Sequence, residues 1–178
     1  EGVSRRDAIN KVFELSGTQD TYLKVVEDCA ETDVPDNLHA LPKLIKDHPV
    51  REWLKERGLS HMEKDLCICV TGKYQNRIII PCKFKGEVVG FEAKTYHPRL
   101  KPKSLFPKWF KTSKHIYTTQ WDSSQDYAII TESVFDAETI GTNAVGIFGS
   151  SLHTGQTQRL SELGVSKLVW FLDSDAFM

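Results

Sequence analysis

The sequence predicts an α/β fold with an α+β N-terminal part: a parallel β-α-β-α-β sheet in its last third, preceded by a small antiparallel β unit and N-terminal helices. Three observations lead there. Residues 127–172 alternate the apolar runs "DYAIIT", "NAVGIFG" and "SKLVWFL" with "SVFDAETIG" and "TGQTQRLSELG", which have helical period. Unalternated apolar runs fit strands covered on both faces, and helical connections between strands impose parallel pairing. Upstream, "LCICVTG", "RIIIPCKF" and "EVVGFEAKTY" read as strands joined by short turns, across residues 72–76 and at Lys85-Gly86, which makes them antiparallel.

The remaining elements follow in order. "SRRDAINKVFELSG" reads as a helix: Ser4 is an N-cap with Asp7 three residues on, Ala8, Ile9, Val12, Phe13 and Leu15 sit mostly on one face, and Gly17 stops it. "DTYLKVVEDCA" predicts a second helix, and "ETDVPDNLHALP" a turn-rich linker. "HPVREWLKERG" predicts a third, with His48 at its entry, Pro49 near its start and Gly58 just past its end.

Composition narrows the classes. The 178 residues carry a net charge of −1, so the overall balance names no partner. No apolar run is long enough to span a membrane, and the N-terminus has no signal-peptide core. It also lacks an initiator Met, so the sequence is expected to be a fragment of a longer chain. The four cysteines, Cys29, Cys67, Cys69 and Cys82, fit no zinc spacing and read as reduced apolar residues of a cytosolic protein.

Two features carry chemistry. From Ala93 to Trp121 there is no acid, while seven basic residues (Lys94, Arg99, Lys101, Lys103, Lys108, Lys111 and Lys114) are interleaved with Tyr96, Phe106, Trp109, Phe110, Tyr117 and Trp121. Basic groups bind phosphates and aromatic faces stack bases, so the segment is a candidate nucleic-acid or nucleotide contact. The second feature is acidic. Glu132 ends the first strand of the last third, Asp136 lies one helical turn on, and Asp173 and Asp175 end the third strand. If those strands are neighbours, four carboxylates converge. Their repulsion calls for a counter-ion, and oxygen ligands suit Mg²⁺.

These residues carry a resemblance. "IITESVFDAETIG", "AVGIFGSSLHTGQTQRLSELG" and "VSKLVWFLDSDAF" resemble the Toprim domain of DnaG-type and phage replicative DNA primases, whose strand ends are E-G-x-x-D and D-x-D. "HPVREWLKERGLS", "NRIIIPCKFKGEVVGFEAKTY" and "FPKWFKTSKHIY" are similar to the helix, hairpin and P-K-Y-L-N-S motifs of a primase core. Ser133 stands where the family has glycine, and Lys94 where an arginine is common. The resemblance implies three segments: an N-terminal helical segment over 1–40, a primase-core N-terminal subdomain over 41–122, and a Toprim domain over 123–178 that stops after D-x-D.

It also implies an activity. A DNA primase core joins ribonucleoside triphosphates into short RNA primers on a single-stranded DNA template, by metal-dependent nucleotidyl transfer. Glu132 and Asp136 would be catalytic. Asp173, Asp175 and Glu132 would hold Mg²⁺ or Mn²⁺ as two ions, with no zinc in this fragment. Arg77, Lys94, Lys108, Trp109 and Lys111 would bind nucleotide or nucleic acid. The expected partners are the template, the triphosphates, a replicative helicase and single-strand-binding protein, with no membrane, in a bacterial cytoplasm and with a phage-like flavour. The rival expectations are another Toprim enzyme, such as a metal-dependent nuclease, or a decayed primase-like DNA-binding module attached to a helicase. His153, in the "GSSLHTG" turn, is a weaker nucleotide contact.

Overall fold

The structure is a computed structural model, and it describes Asp33, Pro35 and residues 36–172. The two N-terminal helices, Cys29, Asp173 and Asp175 of the sequence reading lie outside the described residues. These residues form a mixed α/β protein that divides into two compact units. One comprises the described residues up to 81 with residues 87–110, the other residues 82–86 with the described residues from 111 on.

The first unit contains a five-stranded sheet of order β1-β2-β3-β4-β5: β1 Asp36–Ala40, β2 Cys67–Thr71, β3 Arg77–Phe84, β4 Glu87–Thr95 and β5 Ser104–Leu105. β2, β3 and β4 are the predicted strands, and the β3–β4 hairpin turns through Lys85-Gly86, with φ of 50° and 82° as in a type I′ turn. β1 corrects the sequence reading. Residues 36–40 were expected in a turn-rich linker, yet they pair antiparallel with β2, Leu38 opposite Cys69 and Ala40 opposite Cys67. The apolar Leu38 and Ala40 alternate with polar neighbours and pack on the core, and that pairing outweighs the poor strand propensity of Asp36 and Asn37. The segment 1–40 is therefore not helical throughout.

The core under this sheet is built from Cys67, Cys69, Tyr74, Ile79, Val88, Phe91 and Ala93, with Leu38, Leu105 and Trp109 against it. Cys67 and Cys69 share a face of β2 as predicted, and both are buried. Burial pushes the Cys67 thiol up to about 11, so it stays protonated and inert. Helix α1, Pro49–Lys55, begins as predicted. Pro49 is its first residue, and His48 is its N-cap, with Nδ1 accepting from Val50 N at 3.3 Å.

One close approach in this unit decides a residue. A Cβ added to Gly90 on β4 would lie 2.1 Å from Phe110 Cδ2 and 2.9 Å from its Cγ. The Phe110 ring is buried and stacks on Phe106 at 6.0 Å, so it cannot swing away. Gly90→Ala is expected to cost about 3 kcal/mol by overpacking, read as a fall in melting temperature. Adding Phe110→Leu should recover part of that loss, and no recovery would refute the clash as its cause.

Asp33 closes a second long-range contact. Its carboxylate accepts from Lys73 Nζ (2.6 and 2.8 Å), Tyr74 Oη (2.7 Å) and Lys108 N (2.6 Å), and its carbonyl accepts from Trp109 Nε1 at 3.3 Å. Burial pushes the Asp33 pKa up, but the hydrogen bonds from Lys73, Tyr74 and Lys108 outweigh it and hold the value below the ordinary Asp value. A depressed folded pKa gives stability that is present above the unfolded pKa and lost as pH falls through the folded one. The wild-type melting temperature should therefore fall more steeply than that of Asp33→Asn as pH drops from about 5 to about 3. Parallel pH profiles would remove Asp33 from the account.

The second unit holds a four-stranded sheet of order β6-β8-β7-β9: β6 Tyr117–Thr118, β7 Tyr127–Thr131, β8 Ala144–Gly146 and β9 Lys167–Trp170. Helix α2, Val134–Ile140, connects β7 to β8, and helix α3, Thr154–Glu162, connects β8 to β9. β8 and β9 both pair parallel with β7, as the alternating pattern predicts. β6 was not foreseen. It pairs antiparallel with β8 through Tyr117 and Thr118, ahead of the expected boundary at 122/123.

One expectation about this sheet fails. β7 and β8 are covered, with Ala128, Ile130, Ala144 and Val145 at 0% exposure, but all four β9 residues are exposed, Trp170 at 46%. Among the described residues β9 has only β7 as a neighbour, so it is an edge strand whose apolar side chains are not enclosed.

Candidate active site and basic segment

The strand order gives the second unit a particular geometry. β7 is followed in sequence by β8 on one side, and the chain then crosses to place β9 on the other. In open parallel sheets such a reversal leaves a crevice at the carboxyl ends of the strands, where ligands bind. Ile130 pairs with Trp170, and Phe171 N donates to Ile130 O at 2.8 Å. The end of β7 thus leads into Glu132 directly beside the end of β9.

The turn after β7 is tightly held. Ile147 N donates to Thr131 O (3.0 Å), and Gly149 N donates to Glu132 O (3.1 Å). The fully buried Thr131 hydroxyl lies 3.0 Å from Ser133 O and 3.2 Å from Val145 O, so its one proton ties the turn to β8. Gly146 makes room for this turn: a Cβ there would stand 3.0 Å from Ser133 C and O. The Glu132 backbone position is therefore set by two strands and not by a free loop.

Ser133, in the family's glycine position, caps α2. Its hydroxyl accepts from Asp136 N at 3.3 Å and donates to Asp136 Oδ2 at 2.6 Å. Asp136 is exposed, and its Oδ1 has no hydrogen-bond partner among the described residues. The described part of the site offers carboxylate oxygens only, a donor set suited to hard cations. Among the described residues there is no cluster of three or more potential metal ligands. Two of the three predicted ligands, Asp173 and Asp175, lie outside them.

Behind the turn, Gln156 was quoted in the sequence only as part of a motif, and the structure gives it a purpose. It is fully buried on α3. Its Nε2 donates towards Ile147 O (2.7 Å), Thr112 O (3.0 Å) and His115 O (3.1 Å), and its Oε1 accepts from His153 N at 2.9 Å. One side chain thereby joins the end of β8, the start of α3 and the segment after Lys111. His153 is the N-cap of α3, an exposed residue with a structural task.

The predicted nucleic-acid residues separate into distinct roles. Arg77 is corrected. It was expected to reach phosphate, but it is 2% exposed, and its guanidinium donates to Pro102 O (2.8 Å), Ala93 O (3.3 Å) and Lys103 O (3.3 Å). A fork of donors satisfied by three carbonyls shapes the basic segment from beneath. Trp109 is half-buried: its ring lies edge-on to Phe91 at 6.2 Å and packs against the core of the first unit. Lys94 Nζ lies 3.3 Å from Glu92 Oε1, and Glu92 is 3% exposed on the same strand, so part of the Lys94 charge is already balanced. A single acid inside the apolar run of β4 was the sequence signal for that pair. Lys108 and Lys111 are exposed, Lys108 in the first unit and Lys111 in the second. Asp33, which anchors Lys108, carried no local signal.

Comparison with solved structures gives the fold a context. The chain is similar to the RNA polymerase domain of Mycobacterium tuberculosis primase DnaG in complex with a double-stranded DNA oligomer with a 6-nucleotide overhang. The TM-score is 0.56 at 17% identity, over 76% of this chain and 60% of that one. The same domain in another crystal structure gives a TM-score of 0.53 at 15% identity, over 74% and 61%. This chain has the fold of a DnaG-type primase RNA polymerase domain. The Aquifex aeolicus primase, with its zinc-binding and RNA polymerase domains, is matched at 22% identity and a TM-score of 0.47, over 79% of this chain and 40% of that one. The chain thus spans between two fifths and about three fifths of these primase structures. No protein-family model and no curated protein sequence matches it. The resemblance read from the motifs is met at the level of the fold. No helix among the described residues is long and apolar enough to cross a membrane.

Proposed function

We propose that this chain is part of a DNA primase catalytic core of Toprim type, which makes short RNA primers on single-stranded DNA from ribonucleoside triphosphates. The observation that most supports this is the parallel pairing of β7 with β9, because the strand ending at Glu132 then lies beside the strand that leads to Asp173 and Asp175. The oxygen-only donor set fits Mg²⁺ or Mn²⁺, held by Glu132, Asp173 and Asp175 with Asp136 beside them. Bound there, two such ions would polarise the α-phosphate and stabilise the departing pyrophosphate.

The chain's own groups do the rest. Glu132, fixed by Gly149 N and by the strand behind it, binds metal or takes the proton of the attacking 3′-hydroxyl. Asp136 offers Oδ1 while Ser133 holds Oδ2. Lys111 contributes positive charge towards triphosphate or template phosphates. A bacterial cytosolic setting, with a helicase and single-strand-binding protein as partners, follows from the same reading.

A second reading draws on one observation. The Ser133 hydroxyl occupies an Asp136 oxygen that a glycine would leave open, which suits a decayed DNA-binding module. The deciding assay supplies single-stranded DNA, labelled ribonucleotides and Mg²⁺ to the chain. Short labelled RNA supports primase chemistry. Nicked DNA without RNA replaces it with a nuclease, and binding without either product favours the decayed module.

A further inference from the structure

The basic segment holds a feature that the proposed catalytic reading does not use. A cavity of about 230 Å³ opens between the residue preceding β3 and the turn after β4, lined by Asn76, His97, Arg99 and Leu100. All four belong to the first unit, and both walls are anchored by backbone hydrogen bonds. Asn76 N donates to Cys69 O at 2.9 Å. On the other wall, His97 N donates to Thr95 Oγ1 (3.0 Å), Leu100 N to His97 O (3.1 Å) and Thr95 N to Lys103 O (2.9 Å). The buried Arg77 fork holds the Pro102 and Lys103 carbonyls from below. The turn is therefore built, although its side chains face water.

The polar groups on these walls form a donor set. His97 Nδ1 accepts from Arg99 N at 3.3 Å, which leaves Nε2 to donate. Among the described residues the Arg99 guanidinium and the Asn76 amide have no hydrogen-bond or ion-pair partner in the chain. Three side chains with unused N–H groups thus line one concavity, and Leu100 supplies an apolar side. The segment contributes no acid from Ala93 to Trp121, and the nearby Glu92 is paired with Lys94. Among the described residues no carboxylate is bonded to these donors.

Size and field identify the ligand class. The cavity is smaller than the roughly 300–1,000 Å³ of whole-ligand pockets, so it suits one group of a larger molecule. Exposed Lys101 and Lys103 continue the positive surface along the same loop, which suits a chain of phosphates better than a single carboxylate. We propose that the Asn76–His97–Arg99 cavity is a subsite for one phosphate-ester group, with the Arg99 fork as its main contact. The phosphate is carried by a nucleic-acid strand or by a nucleotide. The inference deepens the nucleic-acid side of the proposed function and makes no use of Glu132.

The test uses the whole 178-residue chain and two probes, a fluorescent oligothymidylate and metal-free ATP. Arg99→Ala is expected to weaken oligothymidylate binding roughly tenfold at low salt and to lower the salt slope by about one. Its melting temperature should be unchanged, because among the described residues the guanidinium holds nothing. Arg99→Lys keeps the charge but loses the fork, and should bind about threefold more weakly with an unaltered slope. A loss confined to ATP assigns the subsite to a nucleotide phosphate, and a loss with the oligonucleotide assigns it to a strand.

The inference fails if Arg99→Ala binds both probes as the wild type does. It also fails if Arg99→Lys equals the wild type, or if Lys101→Ala costs as much as Arg99→Ala, since either result means a diffuse field without a built site. Primer synthesis is read separately. A chain that makes no RNA but shows the Arg99 effects would sink the primase reading and leave the subsite standing.

Discussion

Glu132→Gln is expected to lower primer synthesis by about a thousandfold or more, with little change in melting temperature. The carboxamide has the shape of the carboxylate, and the backbone at 132 is fixed from outside the side chain by Gly149 N and by the Thr131–Ile147 bond. The substitution therefore changes charge without changing position. A neutral oxygen is a poor ligand for a hard cation and cannot accept the 3′-hydroxyl proton, so metal binding and proton transfer fail together. Labelled-primer yield and thermal melting on the same preparation check this. Retention of more than about a tenth of the activity would remove Glu132 from the catalytic set, since lost general-base function alone costs about a hundredfold.

The largest stability effect is expected at Gln156. Replacing it with leucine keeps the volume but strips hydrogen bonds from Ile147 O, Thr112 O, His115 O and His153 N. A buried polar group left unpaired costs about 1–3 kcal/mol, and Ile147 O is the most enclosed of the four. A total loss of about 4 kcal/mol follows if water satisfies the outer groups in part, or about 10 °C in melting temperature for a chain of this size. Gln156→Glu separates hydrogen bonding from packing, because it keeps the acceptor for His153 N and sets a carboxylate against three carbonyls. It should destabilise at least as much as the leucine. A leucine variant within about 1 kcal/mol of the wild type would show that the junction does not depend on this amide.

The parts of the fold legible in the sequence were those with a local physical signature. Runs such as Ala128-Ile129-Ile130 and Ala144-Val145 can only be enclosed, and the helices between them leave parallel pairing as the outcome. β5 and β6 escaped because two-residue strands have no periodicity, and β1 because Asp36-Asn37 at its start reads as a turn; partners distant in sequence create all three. The site showed the same divide. Glu132 was legible because a carboxylate ending a buried strand is conspicuous. Arg77 was misread because residue type reveals charge but not depth. Gln156 and Asp33 act on residues 44 and 75 positions away, through Thr112 and Lys108, and nothing in their neighbourhoods announces it.

The edge position of β9 among the described residues bears on how firmly that strand is held. Its four residues are exposed, and among the described residues only the ladder to β7 holds it. Segments with few enclosed contacts open most readily while the rest of a domain stays folded. Its partner β7 lies some forty residues upstream, so docking β9 also closes a long loop. Fraying of β9 would part Trp170 from Ile130 and leave β6, β7 and β8 paired. Docking of β9 is then a population, and on the function proposed above any ligand that bridges the ends of the two strands would raise it by mass action.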